Sequence, residues 1–321
     1  MSLKIYRNIL FAVSLAILAA IVLLSNPAQI YSELIKSRFE LVILGLLITT
    51  FTALLRVFKW ALLLKTRFLS LIPVQFLGIT VSMLTPGRVA EPTKAVLLKI
   101  MDGTPVSKSL PSIIWERVLD IAAIIIFAFF SLTILAQTQF SLLGYIGVVV
   151  FSVLVIVFLL ILYSKSFGMT IFNKIIIKLP LLKNLNQEFI RSFYAVRIGR
   201  ERITFGFVIA LFIWLLDGLV LYLVLLAFNA EINPLAAVGI VSLSVMIGVA
   251  SSLPGGLGST EIVMILLLNS IGVQNPIAVT AVLIYRFITI WYGLTLGFAS
   301  FLYLSRKINL HELNLNSGLK I

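Results

Sequence analysis

Long apolar runs separated by short polar segments dominate this chain. A hydrocarbon core about 30 Å thick needs roughly 20 consecutive apolar residues in a helix. Runs of that order lie at residues 8–25, 41–63, 110–135, 141–163, 203–228 and 276–304. The pattern therefore predicts an all-α polytopic membrane protein with about six full spans.

Two further apolar stretches, 73–100 and 234–272, are interrupted and do not fit as simple spans. Half-length helices on either side of a Pro-Gly break favour a re-entrant hairpin, which enters and leaves the membrane on one side. The predicted breaks contain Pro86, Gly87, Pro254, Gly255, Gly256 and Gly258. The glycines there allow unusual dihedral angles and close backbone approach. Ser259 or Thr260 is predicted to cap the helix that follows the second break.

Composition supports the membrane assignment. Hydrophobic residues make up 61% of the chain and charged residues only 12%, against about 25% charged residues in a soluble domain. The formal net charge of +13 would suggest a nucleic-acid partner in a soluble protein. In this chain the membrane topology explains the charge better, and no nucleic-acid partner is expected.

Lys and Arg residues concentrate in segments that fall on one side of the membrane. With the N-terminus inside, the predicted outer segments hold only Lys36 and Arg38. The inner segments hold Lys4, Arg7, Lys65, Arg67, Lys94, Lys99, Lys108, the basic segment 164–202, Arg306, Lys307 and Lys320. Because cytoplasmic loops carry the excess of Lys and Arg, both termini are predicted to be cytoplasmic, in a multi-pass cell-membrane protein.

The chain also repeats itself internally. Pro86-Gly87 matches Pro254-Gly255, Glu91 matches Glu261, and Arg117 matches Arg286, all at nearly the same offset. Two spans and one hairpin separate the span 41–63 from its counterpart 203–228, so these two run in opposite directions. The prediction is an inverted-topology repeat with two oppositely oriented re-entrant hairpins, an architecture of many secondary transporters.

The repeat divides the chain into five parts. The N-terminal span and an outer loop occupy residues 1–40, and a cytoplasmic tail occupies 305–321. Repeat 1 covers 41–163 with its hairpin at 73–100, and repeat 2 covers 203–304 with its hairpin at 234–272. Between the repeats, 164–202 is predicted to form basic amphipathic helices at the cytoplasmic surface.

Ten ionisable residues fall inside predicted spans or hairpins. Each costs about 2.5–3.5 kcal/mol at the centre of a membrane helix, so a paired network is expected. Arg56 and Lys59 lie near the cytoplasmic end of their span and could instead extend to the membrane surface. The candidate substrate-binding or gating residues are Arg88, Glu91, Glu116, Arg117, Asp120, Asp217, Glu261 and Arg286.

Two interpretations of these charges remain open. The arginines could be structural partners that fix hairpins to spans, or they could bind an anionic group such as phosphate. Glu91 and Glu261 could pair with the arginines until substrate displaces them, or carry a proton. Glu116, Asp120 and Asp217 have no acidic counterpart in the other repeat, so the two halves do not share all their chemistry.

The motifs resemble the flippase-like transmembrane region of lysylphosphatidylglycerol synthases and its stand-alone relatives. The matching segments are Thr85-Pro86-Gly87-Arg88-Val89-Ala90-Glu91, Glu116-Arg117-Val118-Leu119-Asp120 and Pro254-Gly255-Gly256-Leu257-Gly258-Ser259-Thr260-Glu261. The likeness covers roughly residues 5–300 and implies a lipid flippase or related lipid transporter. In the synthases a soluble aminoacyl-transfer domain follows this region. The short tail after Leu304 has no room for one, so we expect no synthase activity.

The favoured hypothesis is translocation of an anionic lipid, a phospholipid or polyprenyl-phosphate carrier, by alternating access around the two hairpins. The alternative is a membrane protein that binds lipid without transporting it and presents it to a separate lipid-modifying enzyme. A lipid-phosphate enzyme is disfavoured, because the chain has no cysteine and a single histidine, His311. No cofactor and no metal are expected.

Overall fold

The structure is a computed structural model that describes residues 3–25, 27–85, 90–134 and 195–307, with scattered positions between 142 and 160. All regular elements in these ranges are helical. They are α1 (Leu3–Leu24), α2 (Pro27–Lys36), α3 (Phe39–Leu64), α4 (Phe68–Met83), α5 (Thr93–Asp102), α6 (Val106–Ile134), α7 (Arg200–Ala227), α8 (Pro234–Ala250), a 3₁₀ turn (Pro254–Gly256), α9 (Ser259–Ser270), α10 (Asn275–Arg286), a π-helical segment (Phe287–Trp291) and α11 (Tyr292–Lys307).

Helices cover five of the six segments predicted to span the membrane. The predicted span 141–163 lies mostly outside the described residues, as do 164–194 of the basic segment and 308–321 of the tail. The predicted outer loop before residue 40 contains a helix, α2, which lies at an angle of 77° to α1. The count of six spans stays a prediction.

Three of the described helices are long and apolar enough to cross a membrane. They are α3, α7 and the continuous helix Asn275–Arg306, and a fourth span results if α1 and α2 are taken as one bent span. In α3, Leu47, Phe51, Leu54 and Phe58 are all exposed. Their spacing puts them on one face of the helix, and such a face is stable only when lipid or another apolar surface covers it.

Each half contains a pair of shorter helices around a break. Helices α4 and α5 contact each other around the first break, and α8 and α9 around the second. Positive φ angles of 61°, 66° and 89° occur at Gly255, Gly256 and Gly258, so the predicted role of these glycines is confirmed. Pro86, Gly87 and Arg88 lie outside the described residues, and the insertion of these pairs as re-entrant hairpins stays a prediction.

The start of α9 differs from the prediction. Its N-cap is Gly258, and the N–H of Gly258 donates to Oε2 of Glu261 at 2.7 Å. The hydroxyl of Ser259 instead donates backwards, to the carbonyl of Gly256 at 3.2 Å. The prediction that Ser259 or Thr260 caps this helix was therefore wrong. Instead, the carboxylate of Glu261, three residues after the N-cap, accepts the free backbone N–H of the N-cap residue.

Helices from the two halves pack across each other. The longest contact joins α3 to α7, while α4 lies along α11 and α8 lies along α6. Small residues make these approaches close. A Cβ at Gly297 of α11 would lie 1.8 Å from the Thr80 hydroxyl of α4. Within the second half, a Cβ at Gly218 of α7 would likewise lie 2.4 Å from the Val238 backbone of α8. Contacts between the two halves therefore run through at least three pairs of helices.

Candidate functional site

The ionisable residues inside the fold form a network of ion pairs that falls into four separate groups. Each carboxylate in it contacts at least one cation, as expected where an unpaired charge would be costly. The carboxylates are Glu91, Glu116, Asp120, Asp217 and Glu261, and the cations are Arg56, Lys59, Lys94, Arg117 and Arg286. This balance makes the described part of the network neutral.

Glu91 lies at the start of α5, next to the first break, and shares its carboxylate between two cations. Its Oε2 accepts a hydrogen bond from Nε of Arg117 on α6. Its Oε1 lies 3.1 Å from Nζ of Lys94, one turn along the chain. The predicted partnership between Glu91 and an arginine is thus present, with a lysine added to it.

Lys94 is completely buried and makes three polar contacts within hydrogen-bond or ion-pair distance. Besides Glu91, its Nζ donates to Oε2 of Glu116 at 2.7 Å and to Oε1 of Gln75 at 3.2 Å. The Nε2 of Gln75 in turn donates to the other oxygen of Glu116, at 2.9 Å. Both oxygens of Glu116 are therefore satisfied, as a buried carboxylate requires.

The path of the Lys94 side chain is built into the packing of α4 and α5. A Cβ at Gly78 of α4 would lie 2.2 Å from Cγ of Lys94, so only glycine leaves room for the stem. The ammonium group lies 4.9 Å from the ring centre of Trp60, a cation–π distance. These contacts hold the ammonium between Glu91 and Glu116.

Arg56 and Lys59 do not extend to the membrane surface. Lys59 is fully buried and pairs with Oδ1 of Asp120 on α6. Arg56 donates from Nη2 to Oδ2 of Asp217 on α7 at 2.5 Å, and its guanidinium lies 5.5 Å from the ring centre of Trp214. Of the two alternatives for these residues, ion pairing is therefore the one that the structure shows, because both side chains point to carboxylates on neighbouring helices.

Glu261 and Arg286 form the corresponding pair beside the second break. Nε of Arg286 on α10 donates to Oε1 of Glu261 at 2.5 Å, and its Nη2 donates to the carbonyl of Gly255 at 3.1 Å. Together with the Gly258 N–H described above, these bonds tie the start of α9, the 3₁₀ turn and α10 into one unit. The Arg286 side chain is only 7% exposed, compared with 29% for Arg117.

A cavity of about 140 Å³ lies between the halves and opens onto much of this network. Helices α3, α4, α6, α7, α8 and α10, the π-helical segment and α11 contribute to its walls, which carry both charged and aromatic side chains. It is lined by Thr49, Thr52, Ala53, Arg56, Phe76, Ile79, Met83, Glu91, Glu116, Arg117, Asp120, Trp214, Asp217, Val245, Tyr285, Arg286, Thr289, Ile290, Tyr292, Gly293 and Leu296.

Most of the residues predicted from the sequence meet at this cavity. Glu261 contacts Arg286, which lines the wall, and Arg88 lies outside the described residues. The residues on the wall are Glu91, Glu116, Arg117, Asp120, Asp217 and Arg286. Whether they bind or gate a substrate stays a prediction.

Sequence reasoning missed two members of the network, Lys94 and Gln75. Lys94 was counted with the cytoplasmic lysines that set orientation. One signal could have found it, since Glu91 and Lys94 are three residues apart and such a pair shares a helix face. Gln75 gave no signal of its own, because a single amide in an apolar helix is compatible with many roles.

The partly exposed cations are the members of the network that an anion in the cavity could contact. Within the described ranges, no group of three or more His, Cys, Asp or Glu side chains is arranged to hold a metal ion. A guanidinium that is partly open to a cavity can bind a carboxylate or a phosphate with two parallel hydrogen bonds. Arg117 and Arg56 are the partly exposed cations on the described walls.

Comparison with known proteins gives consistent matches over most of the chain. The sequence model of the family described as "Lysylphosphatidylglycerol synthase TM region" matches residues 11–297. UPF0104 membrane protein PH1989 of Pyrococcus horikoshii is 25% identical over 82% of this chain and 87% of its own length. Two UPF0104 membrane proteins of Methanothermobacter thermautotrophicus are 25% and 26% identical, over 94% and 91% of this chain and 96% and 91% of their own lengths.

Proposed function

Because the chain belongs to the lysylphosphatidylglycerol synthase transmembrane-region family, we propose that it translocates an anionic lipid across the cell membrane. The phosphate-bearing headgroup passes through the cavity between the two halves, while the acyl or polyprenyl chains stay in the lipid. The cargo class is a phospholipid or a polyprenyl-phosphate carrier. Both termini lie in the cytoplasm.

The observation that carries this proposal is the position of Arg117. Its side chain is 29% exposed, it lines the cavity, and its hydrogen-bond acceptor among the described residues is Glu91. A cation that only stabilised the fold would be better enclosed, as Lys59 is. A partly open arginine in a membrane cavity is instead suited to an anion that enters and leaves.

The size of the cavity supports a headgroup rather than a whole lipid. A volume of about 140 Å³ is close to that of a protein cavity of about 150 Å³ that binds a benzene molecule. A phosphate group with its first ester substituents fits such a space, and a long hydrocarbon chain does not.

The packing of the two halves supports alternating access. If α4 and α5 correspond to α8 and α9, the contact of α4 with α11 corresponds to that of α8 with α6. In an inverted repeat, such equivalent contacts face opposite sides of the membrane. If one of these two contacts loosened while the other stayed closed, and then the reverse, the cavity would open first to one side of the membrane and then to the other.

Reconstitution into liposomes tests the proposal. Purified protein is inserted into vesicles with fluorescent phosphatidic acid, phosphatidylglycerol, polyprenyl phosphate or phosphatidylcholine in the inner leaflet, and arrival at the outer leaflet is followed by chemical quenching. We expect the protein to accelerate movement of one of the anionic lipids above protein-free vesicles. The matched control is Glu91→Gln with Arg117→Gln, which removes the cation without leaving an unpaired carboxylate and should abolish that acceleration.

Equal rates for the wild type and this double variant would contradict the proposal. Binding of an anionic lipid without any movement across the membrane would instead favour a protein that presents lipid to a separate enzyme.

A further inference from the structure

The two Glu–Arg pairs beside the helix breaks differ in one respect that bears on cargo binding. Glu91 has two cationic partners on different oxygens, Arg117 on Oε2 and Lys94 on Oε1. Glu261 has one cationic partner, Arg286, and its other oxygen accepts the N–H of Gly258. The first carboxylate can therefore lose its arginine and stay paired, whereas the second cannot.

The arginines differ in the complementary way. Arg286 uses two of its nitrogens, on Glu261 and on the carbonyl of Gly255. Arg117 donates from Nε to Glu91, and its two terminal amino groups donate to no other residue that the structure describes. Those two groups form the edge that recognises a phosphate or carboxylate with paired hydrogen bonds.

Leaving a buried carboxylate without a cation is costly, because its charge is then neither hydrated nor compensated. If Arg117 were the sole partner of Glu91, an anion that binds Arg117 would leave Glu91 unpaired, and the whole cost would lower the affinity for that anion. Lys94 removes most of it, since it is fixed by Gly78, Trp60 and Glu116 and does not need to move.

We propose that Lys94 is a positioning residue that retains Glu91 while Arg117 turns to a phosphate group, so that Arg117 and not Arg286 is the exchangeable cation of the cavity. This rests on the proposed function, because it names the groups that receive the cargo headgroup. The cargo chemistry is a phosphate monoester or diester, and Glu91 is the anion that it replaces on Arg117. Arg286 keeps its two acceptors throughout and stabilises the second break.

A thermodynamic cycle of four proteins tests this assignment. They are the wild type, Lys94→Met with Glu116→Gln, Glu91→Gln, and the triple variant that combines these changes. Removing Lys94 and Glu116 together deletes one cation and one anion. The net charge is therefore unchanged by this step, both with Glu91 present and in the Glu91→Gln background. Binding of dihexanoyl phosphatidic acid and of inorganic phosphate is measured by titration calorimetry on detergent-purified protein.

With Glu91 present, we expect loss of Lys94 and Glu116 to weaken binding about tenfold, as a coupling between neighbouring charges of about 1.4 kcal/mol would give. In the Glu91→Gln background, the same change should have little effect, because no carboxylate then competes for Arg117. A role confined to folding would weaken binding equally in both backgrounds. A second pair, Lys94→Gln with Glu116→Gln, keeps hydrogen-bonding groups beside Gln75 and serves if the first pair does not fold.

A loss of affinity that depends on Glu91, measured with either probe, supports the assignment. The probe that binds more tightly to the wild type identifies whether lipid or free phosphate supplies the headgroup chemistry. Equal losses in both backgrounds, no loss in either, or no binding of either probe to the wild type would overturn it. Movement of lipid in vesicles is a separate measurement. If the loss of affinity depends on Glu91 but no lipid moves, this assignment stands and the proposed transport is contradicted. If lipid moves but the loss does not depend on Glu91, the proposed transport stands and this assignment is contradicted.

Discussion

The guanidinium of Arg286 lies 2.5 Å from the carboxylate of Glu261, and both side chains are almost closed off from solvent. The pair also holds the backbone of the second break, through the carbonyl of Gly255 and the N–H of Gly258. We infer that this relationship is structural, because both oxygens of Glu261 and two nitrogens of Arg286 have fixed partners. Removing one partner should therefore affect folding before it affects binding.

Arg286→Ala leaves Glu261 buried without a cation and should destabilise the protein by about 3–5 kcal/mol. Thermal unfolding in detergent, followed by intrinsic fluorescence, measures the loss. Arg286→Gln combined with Glu261→Gln removes both charges and should recover most of the stability. An Arg286→Ala variant with the melting temperature of the wild type would contradict a structural role.

Gly78→Ala tests the fixed path of the Lys94 side chain. The added Cβ would lie 2.2 Å from Cγ of Lys94, so either α4 or the lysine must shift. Overpacking of this kind typically costs about 1–3 kcal/mol, and here it would also disturb the ion pairs of the ammonium. The control is Gly293→Ala, where no atom lies within 4 Å of the added Cβ. Equal melting temperatures for the two variants would show that the lysine is not confined.

The membrane topology can be tested cleanly because the chain has no cysteine. Single cysteines at positions 138 and 231 should react with an impermeant thiol reagent from outside the cell. Those at positions 104, 185 and 315 should react only after the membrane is opened. Labelling of position 185 from outside would contradict the cytoplasmic termini, and with them the opposite orientation of the two hairpins.

The sequence was sufficient to predict the helical class, the second break and most of the ionisable residues that line the cavity. These features depend on local chemistry that a sequence carries directly. A Pro-Gly pair disfavours continuation of a helix, and an acidic or basic residue in an apolar helix needs a partner. Matching offsets between Glu91 and Glu261 and between Arg117 and Arg286 indicated an internal repeat, and pairing of these glutamates with the arginines was one of two alternatives that the sequence left open.

The partners of Lys59 and Lys94 could not be predicted in the same way. Orientation rules count a lysine by its position between apolar runs, and both lysines lie near such a boundary. Their burial depends on packing between helices that are distant in sequence. Lys94 is enclosed because Gly78 lacks a side chain, and Lys59 because Asp120 of α6 lies opposite α3. Neither fact is visible in either segment alone.

The exchange of partners at Arg117 is tested most directly by Glu91→Gln, which keeps the size of the side chain and removes its charge. If cargo phosphate competes with Glu91 for Arg117, the variant should bind dihexanoyl phosphatidic acid more tightly. It should also release its cargo more slowly and move lipid across reconstituted vesicles at a lower rate. The decisive measurement is therefore binding affinity and transport rate on the same preparation of Glu91→Gln and wild type. Tighter binding with slower transport is the predicted result. Wild-type affinity together with wild-type transport would contradict the account, because Glu91 would then take no part in holding or releasing the lipid.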